Sequence, residues 1–133
     1  MRSIKLFAVG VFIILSSCKK AQVSTANFYV AFKATLTGAS ETPANPSAAT
    51  GTALATYNQN TKILLINITY SGVTATAAHI HKGTVAVAGA IIFPFTSLAS
   101  PINYTSVALD ETPEADLLAN LYYVNIHSAA YPN

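Results

Sequence analysis

The sequence predicts an all-β domain, an antiparallel β-sandwich or barrel-like Greek key of about seven strands with one short helix. Three observations favour this class. Apolar and polar residues alternate with a period of two along most of the chain, turn-forming residues separate the alternating runs, and a single segment carries helix-start signals. The runs that we interpret as strands are residues 28–37, 52–57, 62–70, 76–81, 90–95, 104–109 and 122–128.

A loop separates the first two strands. Residues 28–37 alternate in the manner of a half-buried strand. We expect residues 38–50 to be a loop, because Pro43 and Pro46 lack the N–H group that a central ladder needs. Residues 52–57 then form the short second strand.

The third strand has the clearest pattern. Within residues 62–70, the side chains of Leu64, Ile66, Ile68 and Tyr70 share one face, while Asn67 and Thr69 occupy the other. The turn-forming run Asn58-Gln59-Asn60 precedes it. We therefore expect this strand to supply much of the core.

The next strands carry histidines and a proline. Residues 76–81 hold two of the histidines, and residues 90–95 contain Pro94. Because proline donates no ladder hydrogen bond, Pro94 predicts an edge strand or a bend. Residues 104–109 are a further candidate strand.

The helix signal is Thr112-Pro113-Glu114. Threonine is a good N-cap residue, proline suits the first helical position, and an acid is favourable near the positive end of the helix dipole. The helix would then continue over residues 115–121. The acidic residues around it lack the spacing of a calcium loop, so we interpret them as helix capping.

The amino terminus predicts export. Within residues 1–18, two basic residues precede an apolar run that is too short to span a membrane. The run ends in Ser16, Ser17 and Cys18, which resembles a bacterial lipobox, so the Cys18 thiol would carry the lipid that anchors the protein to the membrane. Residues 19–27 would be a tether, and residues 28–133 a single domain.

This arrangement predicts a location in the bacterial cell envelope. The domain would be lipid-anchored and extracytoplasmic, at the outer membrane or the cell surface, and secretion after ordinary signal cleavage is the alternative. Two of the seven basic residues, Arg2 and Lys5, lie in the signal segment, so five remain against five acidic residues. A domain without excess positive charge has no electrostatic footprint for nucleic acid, which excludes that class of partner.

The chain's three histidines, His79, His81 and His127, are its strongest chemical signal. On a strand, positions i and i+2 leave the same face, so His79 and His81 would converge while Ile80 points into the core. If the last strand lies beside this one, His127 completes a cluster of three imidazoles. Such a cluster suits one zinc or copper ion and leaves a coordination position for water or another group.

A structural role for the three histidines is the alternative. The imidazoles could instead hydrogen-bond to the backbone, Asn125 or Tyr123 and rigidify two strands. Tyr123 and Asn125 share a face with the third histidine and are candidates for a binding surface. Glu41 is the one acid outside residues 110–116, which makes it a weak candidate for a fourth ligand or a partner of a ligand; its alternative is a solvated loop carboxylate. We assign no catalytic residue.

Several short motifs follow one another along the domain. They are Thr37-Gly38-Ala39-Ser40-Glu41-Thr42-Pro43, Thr50-Gly51-Thr52-Ala53, Tyr70-Ser71-Gly72-Val73, Ala78-His79-Ile80-His81-Lys82-Gly83, Leu117-Leu118 and Tyr122-Tyr123-Val124-Asn125-Ile126-His127-Ser128. On these motifs the chain resembles the CHRD domain, the module named after chordin, from about Val30 to its last residue. The resemblance implies an all-β extracytoplasmic domain; bacterial members are commonly secreted or lipid-anchored and have no settled biochemical activity.

Two departures from the family pattern stand out. Relatives continue past the last histidine with a Pro-Gly-Gly-Glu-Ile-Arg-Gly type strand, whereas this sequence ends at Tyr131-Pro132-Asn133. Without that strand we expect an open sheet edge that invites self-association. Asn120 stands where the family tends to place glycine after the helix, a mild change because asparagine tolerates the left-handed conformation.

Two functions remain at this point. The first is an exported, lipid-anchored binding or structural module without enzymatic activity, whose protein or small-molecule partner the sequence does not name. The alternative is a mononuclear zinc or copper protein, with room for catalysis, that uses His79, His81 and His127.

Overall fold

The computed structural model describes residues 28–84 and 87–132, and the predicted signal segment, tether and Cys18 lie outside them. The described residues form seven strands and one α-helix, with a 3₁₀ turn at Gly38–Ser40 after the first strand. The elements are β1 (Tyr29–Thr37), β2 (Thr50–Asn58), β3 (Ile63–Ser71), β4 (Ala75–Lys82), β5 (Ala90–Pro94), β6 (Ile102–Thr105), α1 (Glu111–Leu118) and β7 (Tyr122–Ser128).

The strands form two antiparallel sheets that pack as a sandwich, which confirms the predicted class. The four-stranded sheet has the order β1-β2-β3-β6, and the three-stranded sheet has the order β5-β4-β7. β5 is an edge strand, as Pro94 predicted. The second sheet carries all three histidines on β4 and β7.

The core lies between the facing sides of the two sheets. Leu64, Ile66 and Ile68 of β3 are buried there, as their spacing predicted, and Tyr70 packs against them. Ile80 of β4 enters the same core from the other sheet. Burying one such aliphatic side chain stabilises the fold by about 1.5–3 kcal/mol. The core therefore fixes the position of the strand that carries His79 and His81.

Polar side chains stabilise the turn between β2 and β3. The Asn58 side-chain oxygen accepts hydrogen bonds from the backbone N–H groups of Asn60 and Thr61, at 2.9 and 3.1 Å. Lys62 then adopts a left-handed conformation, with φ of 60°. These local bonds replace the ladder bonds that the chain loses as it reverses direction.

β6 lies earlier than the sequence predicted. The expected strand at residues 104–109 was wrong in its bounds, because Ile102 is buried and pairs with Ile68 of β3. Beyond β6 the backbone N–H groups of Ser106 and Leu109 still donate to carbonyls at the start of β3, at 2.9 and 2.8 Å. This segment therefore follows β3 without forming a regular ladder.

The helix also begins earlier than predicted. Its N-cap is Asp110 rather than Thr112, and the Asp110 carbonyl accepts the N–H of Glu114 at 3.0 Å. Pro113 therefore lies within the first turn, where its missing N–H is not needed. The helix ends at Leu118, and Asn120 beyond it has φ of 57°, the left-handed conformation expected of that residue.

Helix α1 connects the two sheets through ion pairs. The Lys62 ammonium, next to β3, lies 2.6 Å from a Glu114 carboxylate oxygen, and the Lys82 ammonium of β4 lies 2.7 Å from Asp116. Two members of the acidic cluster thus have structural partners, and Asp110 caps the helix without a hydrogen bond from its side chain. In the part of the chain that the structure describes, no helix has the length and apolarity needed to cross a membrane.

Both sheets end in strands with one partner each. Among the described residues, β1 pairs with β2 and β7 pairs with β4, and each leaves its other edge without a strand. Unpaired edges are places where another chain can add a strand. Self-association through such an edge stays a prediction.

Candidate metal centre

β4 and β7 lie side by side and place the three histidines on one face of their sheet. The antiparallel register pairs Ala77 with His127, His79 with Asn125 and His81 with Tyr123. Side chains of directly opposed residues share a face, and diagonal neighbours are within reach of long side chains. The strand pairing on which the predicted cluster depended is therefore present.

Alternation along β4 separates the histidines from the core. Ile80 is 3% exposed and packs in the core, while His79 and His81 project from the opposite face. The register with β5 shifts between Ile80 and His81, and the extra residue, Ile92, lies on β5. The register with β7 is continuous through both histidines of β4.

The three rings lie close enough for one nitrogen of each to approach a common point. One ring nitrogen of each histidine lies within 4.8 Å of those of the other two. The ring centroids are 5.5 Å apart for His79 and His81, and 5.2 Å apart for His79 and His127. Zinc–nitrogen bonds of about 2.0–2.1 Å place tetrahedral ligands about 3.3 Å apart, so binding would draw the most distant nitrogens together by up to about 1.5 Å.

Each ring buries a nitrogen that has no hydrogen-bond partner. These atoms are Nδ1 of His79, Nε2 of His81 and Nδ1 of His127. A buried polar atom without a partner costs about 1–3 kcal/mol. Three such atoms in one cluster match what a metal site looks like before the ion is added.

The outer nitrogens of two rings are bonded to backbone carbonyls. His81 Nδ1 lies 2.9 Å from the Gly89 carbonyl oxygen. The Pro132 carbonyl also accepts a hydrogen bond from the His127 ring. Histidines that bind metals usually donate their other N–H to such an acceptor, which fixes the ring and its tautomer.

Burial favours the neutral form of two of the rings, which is the form that binds metal. It lowers the pKa of His79, and the neighbouring His127 and His81 rings lower that pKa further. Burial also lowers the pKa of His127, as does His81, while the hydrogen bond to Pro132 opposes the change. Neutral imidazole has the free electron pair that a metal needs.

These shifts predict a pH dependence for the metal-free protein. A base whose pKa is lowered by folding binds fewer protons in the native state, so stability is present above its ordinary value of 6.5 and falls below it. We expect the melting temperature in chelator to decrease between about pH 7.5 and pH 5.5. Thermal denaturation followed by circular dichroism at each pH measures this.

The variants His79→Gln and His127→Gln are the controls for this experiment. Each should flatten the decline, because glutamine does not titrate. The raised pKa of Glu41, ordinarily 4.5, acts in the opposite direction and at lower pH. A wild-type melting temperature that is constant over this range would contradict the prediction.

Glu41 lies beside the cluster rather than in it. The group of ligand atoms within 4.8 Å contains the three histidines and not Glu41. Glu41 follows the 3₁₀ turn, and its carboxylate accepts a hydrogen bond from the Asn125 side chain. Burial raises the pKa of Glu41, while His81 and Asn125 lower it. This placement fits a group near the metal better than a fourth direct ligand.

A cleft of 510 Å³ adjoins the cluster. His81, His127 and Glu41 line it, together with Tyr123 and Asn125, the residues expected to form a binding surface. Tyr123 stacks on the His81 ring, with centroids 5.1 Å apart and planes 10° from parallel. A ligand that completes the metal's coordination would have room here, and its identity stays open.

Sequence reasoning missed the two residues whose carbonyls hold the rings. Gly89 and Pro132 contribute backbone atoms, which leave no side-chain signature in a sequence. Gly89 had one detectable signal, a glycine just before a strand. A Cβ atom there would lie 1.7 Å from the Lys82 carbonyl oxygen, so the position has no room for a side chain.

Comparison with known proteins agrees with the motifs. The family model of the CHRD domain matches residues 32–133. No curated protein and no solved structure matches the chain significantly. The family match covers most of the chain, including both histidine strands and the Glu41 segment. The chain therefore belongs to the CHRD domain family.

Proposed function

We propose that the domain is an extracytoplasmic binding module whose ligand is a single zinc or copper ion. The observation that carries this proposal is the convergence of one ring nitrogen from each of the three histidines on one face of β4 and β7, where each ring also buries a nitrogen without a partner. His79 and His127 would bind the ion through Nδ1, and His81 through Nε2. Three imidazole ligands suit both metals and leave a further position open.

A purely structural role accounts less well for the same atoms. If the histidines served to rigidify the strands, their buried nitrogens would be expected to hydrogen-bond to neighbours such as Asn125. Instead Asn125 bonds to Glu41, and Tyr123 meets the His81 ring face to face. A bound ion would give all three nitrogens a partner at once.

Elemental analysis tests the proposal. The protein is purified without a histidine tag, stripped with chelator, loaded with zinc or with copper, and dialysed before measurement. We expect one metal ion per chain and a higher melting temperature, because an ion that binds the native state alone stabilises it. Failure of both metals to bind in stoichiometric amount would reject the proposal.

Family membership supports a location outside the cytoplasm, because CHRD domains are typically extracellular. Within that location we propose that a lipid on Cys18 anchors the chain to the envelope of a bacterial cell, with residues 19–27 as the tether. The support is the order of basic residues, short apolar run and small residues that precede Cys18. Two signals that act together, a lipid and nearby Lys19 and Lys20, would hold it at an anionic membrane surface.

Substitution of Cys18 tests the anchor. In a bacterial host, we expect the wild-type chain to incorporate labelled fatty acid and to partition into the detergent phase. The variant Cys18→Ala should do neither, because it lacks the thiol that would be acylated. Ser24→Ala, within the tether, is the matched control and should keep the label. Labelled Cys18→Ala protein, or an unlabelled wild type, would contradict the proposal.

A further inference from the structure

The hydrogen bond from His81 to the loop after β4 determines which of its nitrogens is free. A backbone carbonyl accepts hydrogen bonds and never donates them, so His81 Nδ1, at 2.9 Å from the Gly89 oxygen, carries the proton. A neutral imidazole has one N–H group. Nε2 therefore presents its electron pair, and it is the buried His81 atom without a partner.

Tyr123 holds the carbonyl that accepts this bond. The Gly89 backbone N–H donates to the Tyr123 hydroxyl at 3.0 Å, and that hydroxyl donates to the Val87 carbonyl at 3.4 Å. The Tyr123 ring also stacks on the His81 ring. Because Tyr123 lies directly opposite His81 in the sheet, one residue contacts both the ring face and the group that binds its Nδ1.

Gly89 allows the loop to come this close. The position of a Cβ atom at Gly89 would overlap the Lys82 carbonyl oxygen at 1.7 Å, and backbone atoms cannot move as a flexible side chain does. A larger residue would displace the loop from the end of β4. The Gly89 carbonyl would then leave its place beside His81.

We propose that Tyr123 and Gly89 are positioning residues that fix His81 as its Nδ1–H tautomer and aim Nε2 at the metal. The metal is that of the proposed function, on which this inference rests. His127 has a simpler arrangement, with the Pro132 carbonyl as the acceptor. Groups that orient a ligand in this way typically contribute about 10–100-fold to metal affinity.

The variant Tyr123→Phe tests the proposal, because it keeps the aromatic ring and removes the hydroxyl. Nitrogen-detected NMR of the imidazole rings identifies their tautomers in metal-free protein. We expect His81 to be Nδ1–H in the wild type and a mixture of tautomers in the variant. Zinc affinity, measured by competition with a chelator, should fall by about 10–100-fold.

Two further variants provide a matched control and a second test of the proposal. Tyr122→Phe makes the same change on the core-facing side of β7 and should leave both the His81 tautomer and the zinc affinity unchanged. Gly89→Ala should disturb both in a protein whose circular dichroism remains that of a β-sandwich. An Nδ1–H ring in Tyr123→Phe with wild-type zinc affinity would overturn the proposal, and so would an Nε2–H ring in the wild type.

The two readouts separate this inference from the proposed function. The tautomer is measured without metal, so it decides whether Tyr123 and Gly89 fix the His81 ring even if the wild type binds neither zinc nor copper. Absence of metal binding would reject the proposed function. A tautomer that changes together with zinc affinity supports both.

Discussion

Replacing His127 with alanine is expected to weaken zinc or copper binding by more than about 100-fold, since loss of a group that only orients a ligand already costs about 10–100-fold. The substitution removes one of three nitrogens and the ring that connects β7 to the site. Isothermal titration of the chelator-stripped protein measures the affinity. The same result is expected for His79→Ala, because both rings contribute a buried nitrogen without a partner.

The pattern across variants distinguishes a ligand from a structural residue. His79 and His127 act on one ion, so the effects of their substitutions should be coupled, and the double variant His79→Ala/His127→Ala should bind metal more weakly than either single variant. In chelator the substitution breaks no bond to a metal. His127→Ala should therefore lower the melting temperature less in chelator than in the presence of metal. Equal losses with and without metal would indicate that the ring serves packing alone.

The alternation of residues along β4 predicted the placement of two of the three histidines in the candidate site. The spacing of His79 and His81 places both on one face of any strand, whatever the rest of the chain does. The contribution of His127 depends on the pairing of β4 with β7, which joins residues about fifty positions apart. One register shift, between Ala75 and Ala77 of β4, helps to set which residues of β7 lie opposite the histidines, and it leaves no local signal.

The fold shows the same division between local and distant effects. β7 has the predicted bounds, since apolar and polar residues alternate through the whole run. β6 was misplaced because the burial of Ile102 depends on its pairing with Ile68, more than thirty residues away. At α1, Thr112 looked like the better cap, but the chain gains an earlier turn when Asp110 takes that position. Where two local signals are similar in strength, tertiary contacts decide.

A large stability effect is expected at the residue between the two histidines of β4. Ile80 is 3% exposed and belongs to the core, so Ile80→Ala should lower the free energy of unfolding by about 2–5 kcal/mol. Ile80→Val removes one methylene group and should lower it by about 0.5–1.5 kcal/mol. Urea denaturation in chelator measures both without a contribution from metal.

Leu65→Ala is the matched control for this series, since Leu65 on β3 is 48% exposed. It should change the free energy of unfolding by about 0.5 kcal/mol or less. Similar losses at Ile80 and Leu65 would mean that β4 does not bury its central side chain. The geometry of the site would then fail as well, because His79 and His81 share the outer face of β4 only while Ile80 occupies the inner one.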